Sequence, residues 1–138
     1  MLKDKVTKFY TSEYDLNCAE TILYAANEEY NLNLSKETFK TMAAFGGGMA
    51  VEGTCGVVTG SITVLGLLFT KERAHESDRI KLLTQEYIDK FNKALKTENC
   101  LELKNNYRTE EERCAKILYS GAEVLDEIVT RERKAESK

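Results

Sequence analysis

From Cys55 to Phe69 the chain is almost wholly apolar, broken only by Thr59, Ser61 and Thr63. The run is shorter than the roughly 18–20 residues a membrane span needs. It is read instead as a helix buried on every side, continuing to about Lys71. A second pattern governs Ser77 to Lys96. There Ile80, Leu83, Tyr87, Phe91 and Ala94/Leu95 recur every three or four residues. Lys81, Gln85, Glu86, Asp89, Lys90 and Lys93 fall between them, which is the signature of an amphipathic helix. Three more stripes have the same period: Cys18, Ile22, Ala25, Ala26 and Tyr30; Phe39, Met42 and Ala43; and Cys114, Ile117, Leu118, Gly121, Leu125 and Ile128. A short first helix is expected over Leu2 to Tyr10, with Val6, Phe9 and Tyr10 on one side. No strand-like alternation or hairpin turn occurs. The fold class predicted is all-α: a compact bundle of five to six helices around a buried, glycine-containing central helix. A single domain over residues 1–138 is expected, with a helical core from about 15 to 131 and a polar, frayed tail over 132–138.

Polar residues mark where these helices begin. Asn17 reads as an N-cap for Cys18 to Tyr30, with Glu20 three residues on completing a capping box. Ser35 caps a helix over Lys36 to Phe45. Thr54 is the expected N-cap of the central helix, which makes Cys55 its first residue. Thr109, with Glu112, opens the last helix, running to about Arg131. Thr97 to Tyr107 reads as an irregular connection holding Cys100, with one helical turn at Cys100 to Lys104.

Seven of the eight glycines lie between Phe45 and Phe69. The run Gly46, Gly47 and Gly48 is unsuited to a helix, since glycine loses the most backbone entropy there. It is read as a loop whose bare amides can approach a group closely. Gly56 and Gly60, four apart, predict a helix crossing near the backbone.

Composition then narrows the chemistry. A net charge of −3 and a mixed surface argue against nucleic acid as partner. Met1 to Lys5 leads into polar residues without the apolar core of a secretory leader. A soluble cytoplasmic protein is therefore expected, with no membrane partner. There is no proline or tryptophan, and His75 is the only histidine. It lies in a charged joint and is read as an exposed residue, so neither a histidine metal site nor a Ser–His–Asp triad is expected. Paired glutamates at Glu28-Glu29 and Glu110-Glu111-Glu112 read as solvated surface. Glu52, beside Gly53, either orients a thiol or points to water, and water is favoured.

What remains is four cysteines, Cys18, Cys55, Cys100 and Cys114, with no Cys-X-X-Cys among them. Buried packing is the simplest role for a free cysteine, yet two of these open helices and one lies in an irregular connection. Cys55, placed where helix amides favour a thiolate, is the expected nucleophile. Cys18 is a candidate to resolve it, with Cys100 and Cys114 as a second pair, although four cysteines allow three connectivities.

The motif Phe45-Gly46-Gly47-Gly48-Met49, followed by Gly53-Thr54-Cys55-Gly56 and Gly60, resembles the signature of the C_GCAxxG_C_C family of redox-active proteins. The likeness takes in Asn17-Cys18-Ala19-Glu20 upstream, and Asn99-Cys100-Leu101-Glu102-Leu103 and Cys114 downstream. Val57 departs from the alanine of the family's name, a small apolar change that touches packing more than chemistry. The resemblance implies that the four cysteines are the family's defining ones and that the site is redox-active. Two chemistries fit such a site. One is thiol–disulfide exchange. The other is a metal held by all four thiolates, a [2Fe–2S] cluster before a structural zinc. Gly46, Gly47, Gly48, Gly53, Thr54 and Gly56 are candidates to line a cofactor, their amides donating to sulfur. A third class is a binding module that holds a small anion beside the glycine loop. The redox partner is unknown from sequence, and a homodimer is suggested only by the many apolar helix faces.

Overall fold

The computed structural model describes residues 1–137. Among them are seven α-helices: α1 (Leu2–Phe9), α2 (Cys18–Glu29), α3 (Lys36–Lys40), α4 (Gly56–Phe69), α5 (Arg79–Leu95), α6 (Cys100–Tyr107) and α7 (Ala115–Glu136). The only strand-like pairing in these residues is two isolated bridges, so the all-α class holds. Among the described residues, no helix is long and apolar enough to cross a membrane.

The central place of α4 follows from its sequence. Val57, Val58, Val64 and Leu65 are at most 1% exposed, each contributing about 1.5–3 kcal/mol of transfer free energy. Around α4 pack α2, α5 and α7, while α1 closes the bundle against α2 and α7. The crossing predicted from Gly56 and Gly60 is made by α2. A Cβ on Gly60 would stand 2.9 Å from the Ala19 carbonyl oxygen, so only glycine lets the two backbones approach this closely. On the opposite side, Gly121 of α7 leaves room for Val57, and the Tyr87 hydroxyl donates to the Gly121 carbonyl at 3.1 Å.

Several boundaries differ from the expectation. The third helix stops at Lys40, and residues 41–45 continue as turns that bury Met42 but leave Ala43 exposed. The connection after Thr97 is a full two-turn helix, α6, because the Asn99 side chain accepts the Glu102 amide at 3.0 Å and caps it. The last helix starts six residues after Thr109. Thr109 and Arg113 first exchange two backbone hydrogen bonds (2.7 and 3.2 Å), and Thr109 Oγ1 accepts the Glu112 amide (2.9 Å), so the polar signal marks a closed turn. At its far end α7 runs on through Glu136, where fraying is expected. Arg79 holds it there by pairing with Glu132 (3.2 Å) and Glu136 (3.0 Å). Lys138, counted in the expected tail, lies outside the described residues.

Candidate functional site

Each of the four cysteines stands at the start of a helix. Cys18 and Cys100 are the first residues of α2 and α6, behind the caps Asn17 and Asn99. Cys55 and Cys114 are themselves the N-cap residues of α4 and α7. The local chemistry repeats: in Asn17-Cys18-Ala19-Glu20 and in Asn99-Cys100-Leu101-Glu102 the asparagine side chain accepts the glutamate amide, at 2.7 and 3.0 Å. Two expectations are corrected here. The N-cap of α4 is Cys55 and not Thr54, because Thr54 is drawn into a bridge with Asn99. Cys114 is not a turn inside its helix but at its head, because the Thr109–Arg113 turn intervenes.

The glycine loop joins two of these helix starts. Gly47, Gly48, Met49 and Ala50 all have left-handed backbones, with φ from 60 to 65°. They form a wide turn that an ordinary helix could not. Gly48 must be glycine on space as well as φ, since a Cβ there would lie 2.7 Å from the Cys100 Cβ and 2.5 Å from the Gly53 nitrogen. The Gly53 carbonyl accepts the Cys100 amide (2.6 Å), and the Cys55 amide donates to Glu98 (2.8 Å). Gly56 lies against α2, where a Cβ would meet the Cys18 Cβ at 3.4 Å. Gly46 faces the side chain of Asn17, whose Nδ2 donates to the Met42 and Ala43 carbonyls. The loop residues named as candidate cofactor ligands thus bring Cys18, Cys55 and Cys100 together through backbone contacts. Of these loop glycines only Gly47 has open space about it.

The thiols differ sharply in their surroundings. Cys55 and Cys100 are buried, at 5% and 7% exposure, whereas Cys18 and Cys114 are half-buried. Burial pushes the Cys55 thiol up to about 12, against the pull of the Val57 and Val58 amides. The helix start does act on this sulfur as the sequence suggests, but desolvation outweighs it, and Cys55 is a protonated thiol at neutral pH. Cys100 is also raised by burial, with Lys104 opposing. Cys114 goes the other way. A hydrogen bond from Cys18 and the nearby Arg108 and Lys104 hold it at about 6, in spite of partial burial. That same bond and burial raise Cys18 well above the usual thiol range. The two shifts run in opposite directions, Cys18 up and Cys114 down. Tyr10 completes this corner: its hydroxyl accepts the Cys114 amide at 3.2 Å, and its ring lies 4.4 Å from the Arg113 guanidinium carbon.

A family model described as "Putative redox-active protein (C_GCAxxG_C_C)" matches residues 16–128, from before Cys18 to beyond Cys114. The chain belongs to the C_GCAxxG_C_C family. No curated protein and no solved structure matches it.

In this C_GCAxxG_C_C protein the structure adds residues that the sequence did not single out. Tyr10, Lys104, Arg108 and Arg113 surround Cys114. Lys104 and Arg108 reach Cys114 because α6 extends to Tyr107, beyond the one turn over Cys100 to Lys104 that the sequence predicts. Glu52 turns to Lys104, at 3.5 Å. His75 is exposed on a short turn, far in sequence from any cysteine. Among the described residues, no group of three or more Cys, His, Asp or Glu side chains is arranged to hold a metal ion, so the donor set does not fit a mononuclear zinc site. Cys55, Cys100 and Cys114 all act on the Cys18 sulfur, so the four thiols are neighbours, and four cysteines are the donor number an iron–sulfur cluster would take.

Proposed function

We propose that this protein is a dithiol oxidoreductase of a reducing, cytoplasmic compartment, with Cys114 as attacking thiolate and Cys18 as resolving thiol. What supports the reading is the mutual influence of the two sulfurs, which raises Cys18 and lowers Cys114, with Arg108 and Lys104 adding to the fall at Cys114. A thiolate at neutral pH is the reactive form of cysteine, and an adjacent thiol is what resolution requires.

The chemistry balances with a disulfide substrate, RS–SR. Cys114 attacks one sulfur, forms a mixed disulfide and releases RS⁻. Cys18 loses its proton to water and attacks Cys114 Sγ, which releases the second RS⁻ and leaves the Cys18–Cys114 disulfide. The protein loses two electrons and the substrate gains two. The reverse sequence, with a dithiol partner, restores the starting state.

Trapping tests this directly. Brief treatment with a small disulfide should link Cys18 to Cys114, as read by peptide mass mapping. C18S should stop at the mixed disulfide on Cys114, and C114S should give neither. Retention of free thiols at both positions would overturn the reading.

A second reading rests on the convergence of all four helix starts. Here Cys18, Cys55, Cys100 and Cys114 would hold a [2Fe–2S] cluster, which supplies one-electron transfer when bound. Iron and sulfide content of anaerobically purified protein separates the two readings.

A further inference from the structure

The substrate of the Cys18–Cys114 pair can be narrowed by counting arginines. Of six in the chain, Arg73, Arg79 and Arg131 are paired with carboxylates, and Arg133 donates to the Tyr30 carbonyl. Arg108 and Arg113 have no carboxylate partner among the described residues, and they bound the turn that ends at Cys114. Arg108 caps the end of α6 on the side of the Cys114 sulfur. Arg113 is the residue before Cys114, with a left-handed backbone at φ 54°. For a residue with a Cβ that conformation is strained. It is held by the two hydrogen bonds to Thr109 and by stacking on Tyr10. Stacking uses the face of the guanidinium and leaves its edge N–H groups free.

Arg113 also lines a surface groove of about 440 Å³. Tyr10, Thr11, Tyr119 and Arg113 line it, and its lining residues Arg113 and Ala115 flank Cys114 in sequence. The size suits a small molecule. Glu111 and Glu112 also line it, but both are exposed to solvent, and neither is among the main groups acting on the Cys114 sulfur. The charges that dominate at that sulfur are Arg108 and Lys104.

We propose that the Cys114 thiolate acts on small disulfides bearing carboxylate groups, which Arg113 grips from the groove while Arg108 adds attraction at the sulfur. This rests on the dithiol reading above and follows its two-step exchange, with the carboxylate-bearing thiol as the leaving group in both steps.

Three probes of different charge test it on the full-length reduced protein: dithiodiglycolate, 2-hydroxyethyl disulfide and cystamine. Each rate of Cys114 oxidation at low salt is divided by the rate of the same disulfide with free cysteine, which removes intrinsic reactivity. The normalised rate should be about tenfold or more higher for dithiodiglycolate than for cystamine, with the neutral disulfide between. The ratio should shrink in 1 M salt. In R113N, whose asparagine tolerates the left-handed backbone, the ratio of dithiodiglycolate to 2-hydroxyethyl disulfide should fall several-fold. R113K keeps the charge but not the fork and should fall part of the way. Equal normalised rates, or a preference for cystamine, overturn this proposal and leave the dithiol reading standing. Failure of all three to oxidise Cys114 overturns both.

Discussion

The backbone amide of Cys114 donates to the hydroxyl of Tyr10, 104 positions earlier in the chain, at 3.2 Å. The end of the first helix thereby helps to seat the start of the last one, and it does so at the most acidic thiol of the protein. The thiol site is assembled by the tertiary fold and not by any local motif. Its reactivity is therefore a property of the folded chain.

The first prediction concerns that thiol. The rate of Cys114 alkylation by iodoacetamide should rise with a midpoint near pH 6, the value set by Cys18, Arg108 and Lys104. C18A removes the hydrogen-bond donor to the thiolate, and R108Q removes a cation. Both should move the midpoint up toward the ordinary thiol range. Midpoints unchanged in both variants would show that neither group acts on the sulfur.

Cys55 should behave in the opposite way. At 5% exposure and with its thiol raised to about 12, it should resist alkylation at pH 7 in native protein. In denaturant it should react at the rate of a free thiol. Labelling of Cys55 in native protein as fast as Cys114 would contradict the burial argument.

Packing of α2 on α4 yields a third prediction. In G60A the new methyl would press on the Ala19 carbonyl, a backbone atom that cannot swing aside. Overpacking of this kind costs about 1–3 kcal/mol, measurable by urea unfolding. Because α2 begins with Cys18, the same shift should slow closure of the Cys18–Cys114 disulfide. Full stability in G60A would mean that the helices separate freely.

Acid stability should report on Glu86, which accepts from Arg131 through both carboxylate oxygens and also pairs with Lys90 at 2.9 Å. Arg131 leads in lowering its pKa from 4.5 to about 2. A depressed carboxylate stabilises the fold fully above pH 4.5 and loses that contribution as pH falls toward 2. The pair is partly exposed, so its worth is about 1 kcal/mol. E86Q should be less stable than the parent by that amount at pH 7, with the gap closing below pH 3. A gap that persists at pH 2 would point to packing.

Helical periodicity made the bundle legible, and α4 in particular, since an almost wholly apolar run belongs in the middle of an all-α fold. The Asn17–Glu20 capping box was equally plain, because it is a local signal with a local answer. Thr54 and Thr109 show where that logic stops. Both are good N-cap residues, but Thr54 is claimed by Asn99 and Thr109 by Arg113, partners that a reading of single caps does not weigh. The four cysteines could be named from sequence, but not ranked. A helix start suggested Cys55 as the thiolate, while the depth that reverses this depends on how α2, α5 and α7 enclose α4. Arg108 and Tyr10 were beyond reach for the same reason, since nothing local links them to Cys114.

The long separation of Cys18 from Cys114 has a mechanical consequence. A covalent bond between them would close a loop that holds α2 through α6 and tie the head of α2 to the head of α7. For a loop on the order of 100 residues, the lost freedom of the unfolded chain is worth about 4–5 kcal/mol. Oxidation would then stiffen the protein and reduction would loosen it, so that the melting temperature itself becomes a gauge of the ambient redox state.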